Sequence, residues 1–154
     1  MNPETIKTVI LILTFLLSLG SVLYSNYIAA YLRKKERQSQ AYSELDSAYN
    51  EILKTALENP KLRDSQFAGN YLKYKNSSVE AQWKDAMQYE IYAFMCMNFC
   101  ETIFDNCKSD PELLGTWECI IVAESKLHSL WFNDGENQQK FKRKFREHVS
   151  EKCK

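Results

Sequence analysis

The uncharged stretch from Thr8 to Leu32 constrains this chain more than any other feature. Its sequence, TVILILTFLLSLGSVLYSNYIAAYL, runs for twenty-five residues without Asp, Glu, Lys or Arg. As an α-helix rising about 1.5 Å per residue it extends roughly 37 Å, enough for the ~30 Å hydrocarbon core of a bilayer with some tilt. The stretch therefore predicts a single transmembrane helix, with the lipid bilayer as a partner.

The residues that flank this span predict its orientation. Lys7 precedes it, whereas four basic residues follow it, namely Arg33, Lys34, Lys35 and Arg37. Basic residues close to a span remain on the cytoplasmic side. Ala29 and Ala30 stand directly before the basic cluster, which is typical of a stop-transfer flank rather than a signal-peptide cleavage site. We expect an anchor at 1–37 in the inner (plasma) membrane and a cytoplasmic domain at 38–154.

Charge and cysteine content agree with that location. Twenty basic and twenty acidic residues cancel, so the chain carries no strong nucleic-acid signal. The five cysteines are odd in number, and most lie in apolar helical patterns, as reduced core cysteines do. No C-x-x-C pair and no usual zinc spacing occurs among them, so the spacing predicts no metal and no cofactor.

Small hydroxylated residues form a stripe along the span. They recur at intervals of three or four residues, at Thr14, Ser18, Ser21 and Ser25. One interpretation is close helix packing, either in a homo-oligomer or with another membrane protein. The other is that each hydroxyl bonds back to a carbonyl of its own helix and faces lipid. The sequence leaves both open.

Hydrophobic periodicity predicts that the rest of the chain is helical. Helices are expected at 38–58, 78–107, 116–132 and 136–152, with a short turn at 60–63 and a loop at 64–77. The fold predicted is all-α, with one N-terminal transmembrane helix followed by an antiparallel bundle of about four helices. A hinge near 38–42 and an unbroken helix through it remain alternatives.

Several boundaries rest on capping signals. Ser77 and Glu80 form a capping-box pattern, and Asp110 followed by Pro111 predicts a capped helix start. Gly115 is a candidate interruption of that helix.

Two helices carry polar residues where core residues are expected. Glu124 and His128 continue the apolar spacing of their helix, and a second stripe in the preceding helix contains Asn98, Glu101 and Asp105. Because an unpaired buried carboxylate is costly, these five residues are predicted to form one buried polar cluster. A structural network, a metal site and acid-base chemistry are the competing interpretations. The Glu-x-x-His spacing of di-iron bundles is absent, since Glu124 and His128 are four residues apart.

The last predicted helix offers an enzymatic alternative. Arg143 and His148 match the R-x4-His pattern of helical nucleases of the HEPN class, in which Arg and His from two protomers act on RNA. In a basic helix this pattern also arises by chance.

Four strings of the sequence are considered together: ENPKLRD (58–64), YEIYAFMCMNFCETIFD (89–105), TWECIIVAESKLHSLWF (116–132) and KFKRKFR (140–146). In this order they resemble a family of small, uncharacterised bacterial proteins with one N-terminal span and a helical cytoplasmic domain. The resemblance implies topology and fold, and it implies no activity or ligand. We therefore expect a membrane-anchored binding, scaffold, sensor or effector-partner protein rather than an enzyme, with an RNA-cleaving effector as the alternative.

Overall fold

All regular secondary structure in the described part of the chain is helical. The computed structural model describes residues 2–153, except for the side chain of Val9. Within that range no strand occurs, so the all-α prediction is confirmed. The helices are α1 (Pro3–Glu58), α2 (Ser65–Lys75), α3 (Glu80–Cys107), α4 (Pro111–Leu127), α5 (Ser129–Phe132), α6 (Gly135–Gln138) and α7 (Arg143–Lys152), and a 3-10 turn (Pro60–Arg63) follows α1.

The chain forms two compact units, Met1–Ser43 and Glu44–Lys154. In the first unit α1 contains an eighteen-residue window of mean hydropathy 2.2, of which 0% is buried inside the protein. Among the described residues α1 is the one helix with the length and apolar composition to cross a bilayer, a combination that signal sequences share. Residues 38–42 are helical.

Helix α3 lies at the centre of the Glu44–Lys154 unit. It packs against α2, α4, α5 and the 3-10 turn. From Tyr89 onward its sequence is apolar nearly all round, which is typical of a helix surrounded by others. One narrow face remains open, because Ile91, Phe94 and Met95 are exposed. The core around α3 includes Leu45, Ile52, Leu62, Tyr71, Tyr89, Tyr92, Met97, Ile103, Ile121, Trp131 and Phe145.

The loop predicted at 64–77 is wrong, because the structure has helix α2 there. The Asp64 carboxylate caps this helix by accepting hydrogen bonds from the backbone N–H groups of Gln66 (2.7 Å) and Phe67 (3.0 Å). Ala68 and Tyr71 bury one face in the core. Burial of that face outweighs the weak helix propensity of the asparagine and glycine in the segment.

The start of α3 also differs from the prediction. The helix begins at Glu80 and not at Ser78. The Ser77 hydroxyl accepts from the backbone N–H of Val79 (3.1 Å) and donates to Gln82 (2.6 Å). Glu80 instead pairs with Lys84 one turn along the helix, so no reciprocal capping box forms.

Helix α4 begins as predicted and ends earlier. The Asp110 side chain accepts from the backbone N–H of Leu113 (3.1 Å), which confirms the cap. Gly115 lies inside α4 and does not interrupt it. The predicted helix 116–132 is divided at His128, whose φ of −100° and ψ of 18° depart from helical geometry.

The last predicted helix is divided as well. The segment 136–152 forms α6 and α7, and residues 139–142 separate them. Lys142 is extended (φ −63°, ψ 143°), and its backbone N–H donates to the Glu101 carboxylate at 2.7 Å. Phe141 precedes this residue and Phe145 follows it, and both rings are buried. Burial of both rings together with this hydrogen bond favours two short helices over one long helix.

Candidate functional site

A buried polar cluster lies between α3 and α4 in the Glu44–Lys154 unit. Its centre is Glu124, which is 1% exposed, and His128, which is 0% exposed. Glu124 occupies the last turn of α4, and His128 follows that helix by one residue. The four-residue spacing places both side chains on the face of α4 that also buries Ile121.

The Glu124 carboxylate is paired with an arginine from a distant part of the chain. Oε1 lies 2.8 Å from Nη2 of Arg63, and it accepts a longer hydrogen bond (3.4 Å) from the Tyr49 hydroxyl. Burial by itself raises the pKa of the Glu124 carboxyl, but the neighbouring His128 and Arg63 outweigh that effect and hold the pKa below its usual value. The carboxylate is therefore charged at neutral pH.

Tyrosine side chains surround His128. Its Nδ1 lies 3.0 Å from the Tyr89 hydroxyl, and the Tyr92 ring packs edge-on against the imidazole. The Tyr92 hydroxyl accepts a hydrogen bond from Nη1 of Arg63 (3.2 Å), so the arginine bridges Tyr92 and Glu124. Burial raises the pKa of both tyrosines, which therefore stay neutral.

Cys96 completes the cluster. Its thiol is buried on α3, and burial followed by the nearby Glu124 charge raises its pKa to about 12. The ligand atoms of Cys96, Glu124 and His128 all lie within 4.8 Å of one another. These three side chains are the residues of the cluster with the chemistry to hold a metal ion.

The cluster has the features of a structural network. Its acid is charge-paired, its tyrosines are neutral, and solvent is excluded from Glu124 and His128. A substrate in solution has no direct access to either group. Such a network fixes how α3, α4 and the 3-10 turn align.

Three residues predicted for this cluster lie elsewhere. Asn98 is exposed, and the partly buried Glu101 accepts from the backbone of Lys142. Asp105 forms ion pairs with Lys108 (2.7 Å) and Lys142, and these hydrogen bonds lower its pKa. At about 100° per residue, the stripe through Asn98, Glu101 and Asp105 points away from Cys96. Glu101 and Asp105 therefore contact Lys142, the residue before α7, and not Glu124.

Sequence reasoning missed Arg63 and the three tyrosines. Arg63 lies in the 3-10 turn, which is too short for a helical period to indicate whether its side chain faces the core. Tyr49, Tyr89 and Tyr92 continue apolar stripes, so the pattern indicates core residues and gives no separate sign of their hydroxyl contacts. The available signal was the charge of Glu124, since a buried carboxylate requires a cation or several donors.

The two residues of the nuclease alternative both lie in α7 and have different neighbours. Arg143 is exposed and lies 3.6 Å from Glu147. His148 packs its ring on Phe104, with centroids 4.8 Å apart, and its Nε2 lies 3.7 Å from Glu118. Burial lowers the pKa of His148.

In the predicted span, the described hydroxyl contacts are local. Thr14 donates to the carbonyl of Ile10 (2.8 Å), Ser18 to that of Phe15 (2.9 Å), and Ser21 to that of Ser18 (2.8 Å). Such bonds satisfy the hydroxyls without a second helix. Ser25 is exposed on the same stripe, and the basic flank Arg33, Lys34, Lys35 and Arg37 is exposed throughout.

Comparison with known proteins adds no relative to this picture. No protein-family model matches the chain, and no curated protein and no solved structure matches it either.

Proposed function

We propose that this chain is a single-pass, membrane-anchored helical protein whose C-terminal unit acts by binding, as a scaffold, sensor or effector partner on the cytoplasmic side of the inner (plasma) membrane. The observation that carries the proposal is the apolar window of α1, which has a mean hydropathy of 2.2 and contains no residue buried in the protein. The unit Glu44–Lys154 has its own core, so it is a domain that an anchor can hold at a surface.

The energetic argument starts from the exposed side chains of α1. Leu17 is 75% exposed, Leu11 70% and Phe15 66%. Removing one such side chain from water stabilises a protein by about 1.5–3 kcal/mol. Contiguous apolar surface on this scale marks contact with a membrane or a partner. A bilayer covers all sides of the helix at once, which suits a helix whose apolar residues surround it.

The backbone and the hydroxyls of this segment are compatible with lipid. An α-helix satisfies its own N–H and C=O groups, as the hydrocarbon core requires. The hydroxyls of Thr14, Ser18 and Ser21 bond to carbonyls of the same helix. The stripe remains available for packing with a second copy or another membrane protein, because its residues are small and exposed.

The charges and cysteines support a cytoplasmic domain. The basic flank 33–37 follows the span, and positive charge remains on the cytoplasmic side. All five cysteines are free, and three of them are buried. Reduced cysteines are typical of the cytoplasm. The resemblance to small bacterial single-span proteins implies the same topology.

The connections between helices support an antiparallel arrangement of the longer helices. Residues 76–79 join α2 to α3, and residues 108–110 join α3 to α4, and both neighbouring pairs pack together. Short connections between packed helices reverse the chain direction. We therefore propose a bundle of about four helices beyond the anchor.

Binding is favoured over catalysis by where the reactive and the apolar groups lie. The Glu124 and His128 side chains are enclosed, whereas several large apolar side chains of the Glu44–Lys154 unit are open to solvent. The candidate contact residues are Trp83, Ile91, Leu57 and Val79. Tryptophan in particular contributes strongly to protein interfaces.

Fractionation of lysed cells tests the anchor. The full chain is expected in the membrane pellet after high-speed centrifugation and alkaline washing, and a variant lacking residues 2–37 is expected in the supernatant. The matched control keeps the full length and replaces Leu13, Leu16 and Leu17 by alanine. The helix is preserved with a lower hydropathy, so retention of the protein in the membrane pellet should weaken only in part. A full chain that stays in the supernatant contradicts the proposal.

Cys119 provides a test of orientation, because it is the cysteine classed as exposed. A maleimide that cannot cross membranes is expected to leave Cys119 unlabelled in intact spheroplasts and to label it after permeabilisation. The Cys119→Ser variant controls for the partly exposed Cys153. Labelling of Cys119 in intact spheroplasts would place the domain on the outer side.

Proteins that co-purify with the detergent-solubilised full chain then identify its partner.

A further inference from the structure

Two buried polar atoms in the cluster lack a hydrogen-bond partner. They are Oε2 of Glu124 and Nε2 of His128, and each belongs to a side chain that is at most 1% exposed. The two atoms face each other at 3.5 Å. Buried polar atoms are nearly always paired, so this arrangement calls for a physical explanation.

The tautomer of His128 decides the chemistry of Nε2. With the proton on Nε2, the N–H points toward Oε2 of Glu124 at 3.5 Å, the contact that lowers the pKa of that carboxyl. Nδ1 lies 3.0 Å from the Tyr89 hydroxyl, and when Nδ1 instead carries the proton and donates it to that hydroxyl, Nε2 presents a lone pair toward Glu124. A lone pair and a carboxylate oxygen repel each other at this distance unless a cation lies between them.

We propose that Cys96, Glu124 and His128 form a binding site for a zinc ion. Thiolate, carboxylate and imidazole are all ligands of Zn²⁺, and three protein ligands leave a fourth position for water or a further side chain. With metal-ligand distances of about 2.0–2.1 Å, tetrahedral coordination separates a nitrogen and an oxygen ligand by about 3.4 Å. The observed 3.5 Å between Nε2 and Oε2 fits that spacing, and the three ligand atoms lie within 4.8 Å.

The surrounding contacts are those expected around a zinc ligand set. Metal-bound histidines donate their other ring N–H to a neighbour, and metal-bound carboxylates are held by additional hydrogen bonds. Tyr89 occupies the first role, and Arg63 holds the second oxygen of Glu124 at 2.8 Å. The sequence spacing hid this set, because Cys96 is on α3 and the other two ligands are at the end of α4.

Charge and protons balance on binding. The Cys96 S–H bond breaks, its proton passes to solvent, and a sulfur-zinc bond forms. Thiolate and carboxylate then offset the two charges of Zn²⁺, while the partly exposed Arg63 remains solvated. No electron is transferred, because zinc does not change oxidation state. The ion joins α3 to the end of α4, so its role is structural. This inference does not depend on the proposed membrane anchor.

Zinc uptake by the full chain tests the site. Protein purified in mild detergent with a non-histidine tag is stripped with a chelator and titrated with ZnCl₂ against a chromophoric competitor. One equivalent is expected to bind, and zinc is expected to raise the melting temperature. Cobalt as a probe should give a sulfur-to-metal charge-transfer absorption in the unmodified chain. Binding of less than a tenth of an equivalent, or a cobalt spectrum without that absorption, overturns the proposal.

Matched variants locate the site. Cys96→Ala is expected to weaken zinc binding at least tenfold and to abolish the zinc-dependent rise in melting temperature. Cys107→Ala removes an equally buried thiol from the same helix, and it should leave zinc affinity unchanged. His128→Gln supplies a second ligand deletion, and far-UV circular dichroism checks that each variant folds. Equal zinc affinity in Cys96→Ala and Cys107→Ala overturns the proposal.

Discussion

Two apolar helical segments of this chain place their side chains in opposite environments. In the N-terminal unit, Leu11, Phe15 and Leu17 are mostly exposed, whereas in α3 the side chains of Tyr89, Met97 and Ile103 are fully buried. Both segments are helical and both are rich in apolar residues. Apolar content alone therefore does not distinguish the two segments. They differ in whether amphipathic helices of the same chain pack around them.

The difference shows what each segment requires from its surroundings. Helix α3 packs against α2 and α4, which cover it with their own apolar faces. The N-terminal window of α1 contains no residue that is buried in the protein. It needs an apolar phase outside the chain, and the proposed bilayer supplies one.

A pair of identical substitutions tests the comparison most strongly. Phe145→Ala removes a ring that is 0% exposed and should lower the free energy of unfolding by about 3–5 kcal/mol, because it leaves a cavity in the core. Phe15→Ala should change it by less than about 0.5 kcal/mol. Tryptophan fluorescence during urea unfolding in detergent is the measurement, since Trp83, Trp117 and Trp131 all lie in the Glu44–Lys154 unit. Equal losses would end the distinction between the two segments.

A second pair compares acids within the C-terminal unit. Glu124→Gln removes the charge that pairs with Arg63 and should destabilise the domain by about 2 kcal/mol. Glu51→Gln, at an exposed position of α1, should remain within about 0.5 kcal/mol of the parent. Thermal unfolding by circular dichroism measures both. An unchanged melting temperature in Glu124→Gln would show that the cluster is not structural.

A smaller effect is expected at Glu101, which accepts a hydrogen bond from the backbone of Lys142, the residue before α7. Glu101→Ala removes the acceptor for the Lys142 N–H and should cost about 1 kcal/mol, as loss of one hydrogen bond does. Urea unfolding measures the change. A loss as large as that of Glu124→Gln would instead favour the sequence prediction that placed Glu101 in the buried cluster.

The smallest effect is a dependence of stability on pH. Burial lowers the pKa of His148 in the folded state, so the unfolded chain binds its proton more readily. Stability from this residue is complete above the unfolded pKa of about 6.5 and is lost as the pH falls from there through the folded pKa. We expect the melting temperature to fall on acidification through that window, and His148→Gln to reduce the slope. If the melting temperature of the variant falls with pH as steeply as that of the parent, the pH dependence arises from other titratable groups.

Local signals determined much of the fold in advance. The uncharged window is a property of one continuous segment, and the turn at 60–63 and the Asp110 cap each depend on residues within one or two helical turns. The structure has the helix, the turn and the cap at these places. Helix α2 was missed although Phe67, Ala68 and Tyr71 have helical spacing, because the glycine and asparagines nearby favour a loop locally.

The candidate site was only partly accessible to the sequence. The helical period alone placed Glu124 and His128 on an inward face, since that period follows from backbone hydrogen bonds four residues apart. Their partners were decided by tertiary structure, because Tyr49 lies 75 positions from Glu124 and Tyr89 lies 39 from His128. Which residues meet over such separations depends on how all the helices bury their apolar faces together, and no local pattern encodes that arrangement.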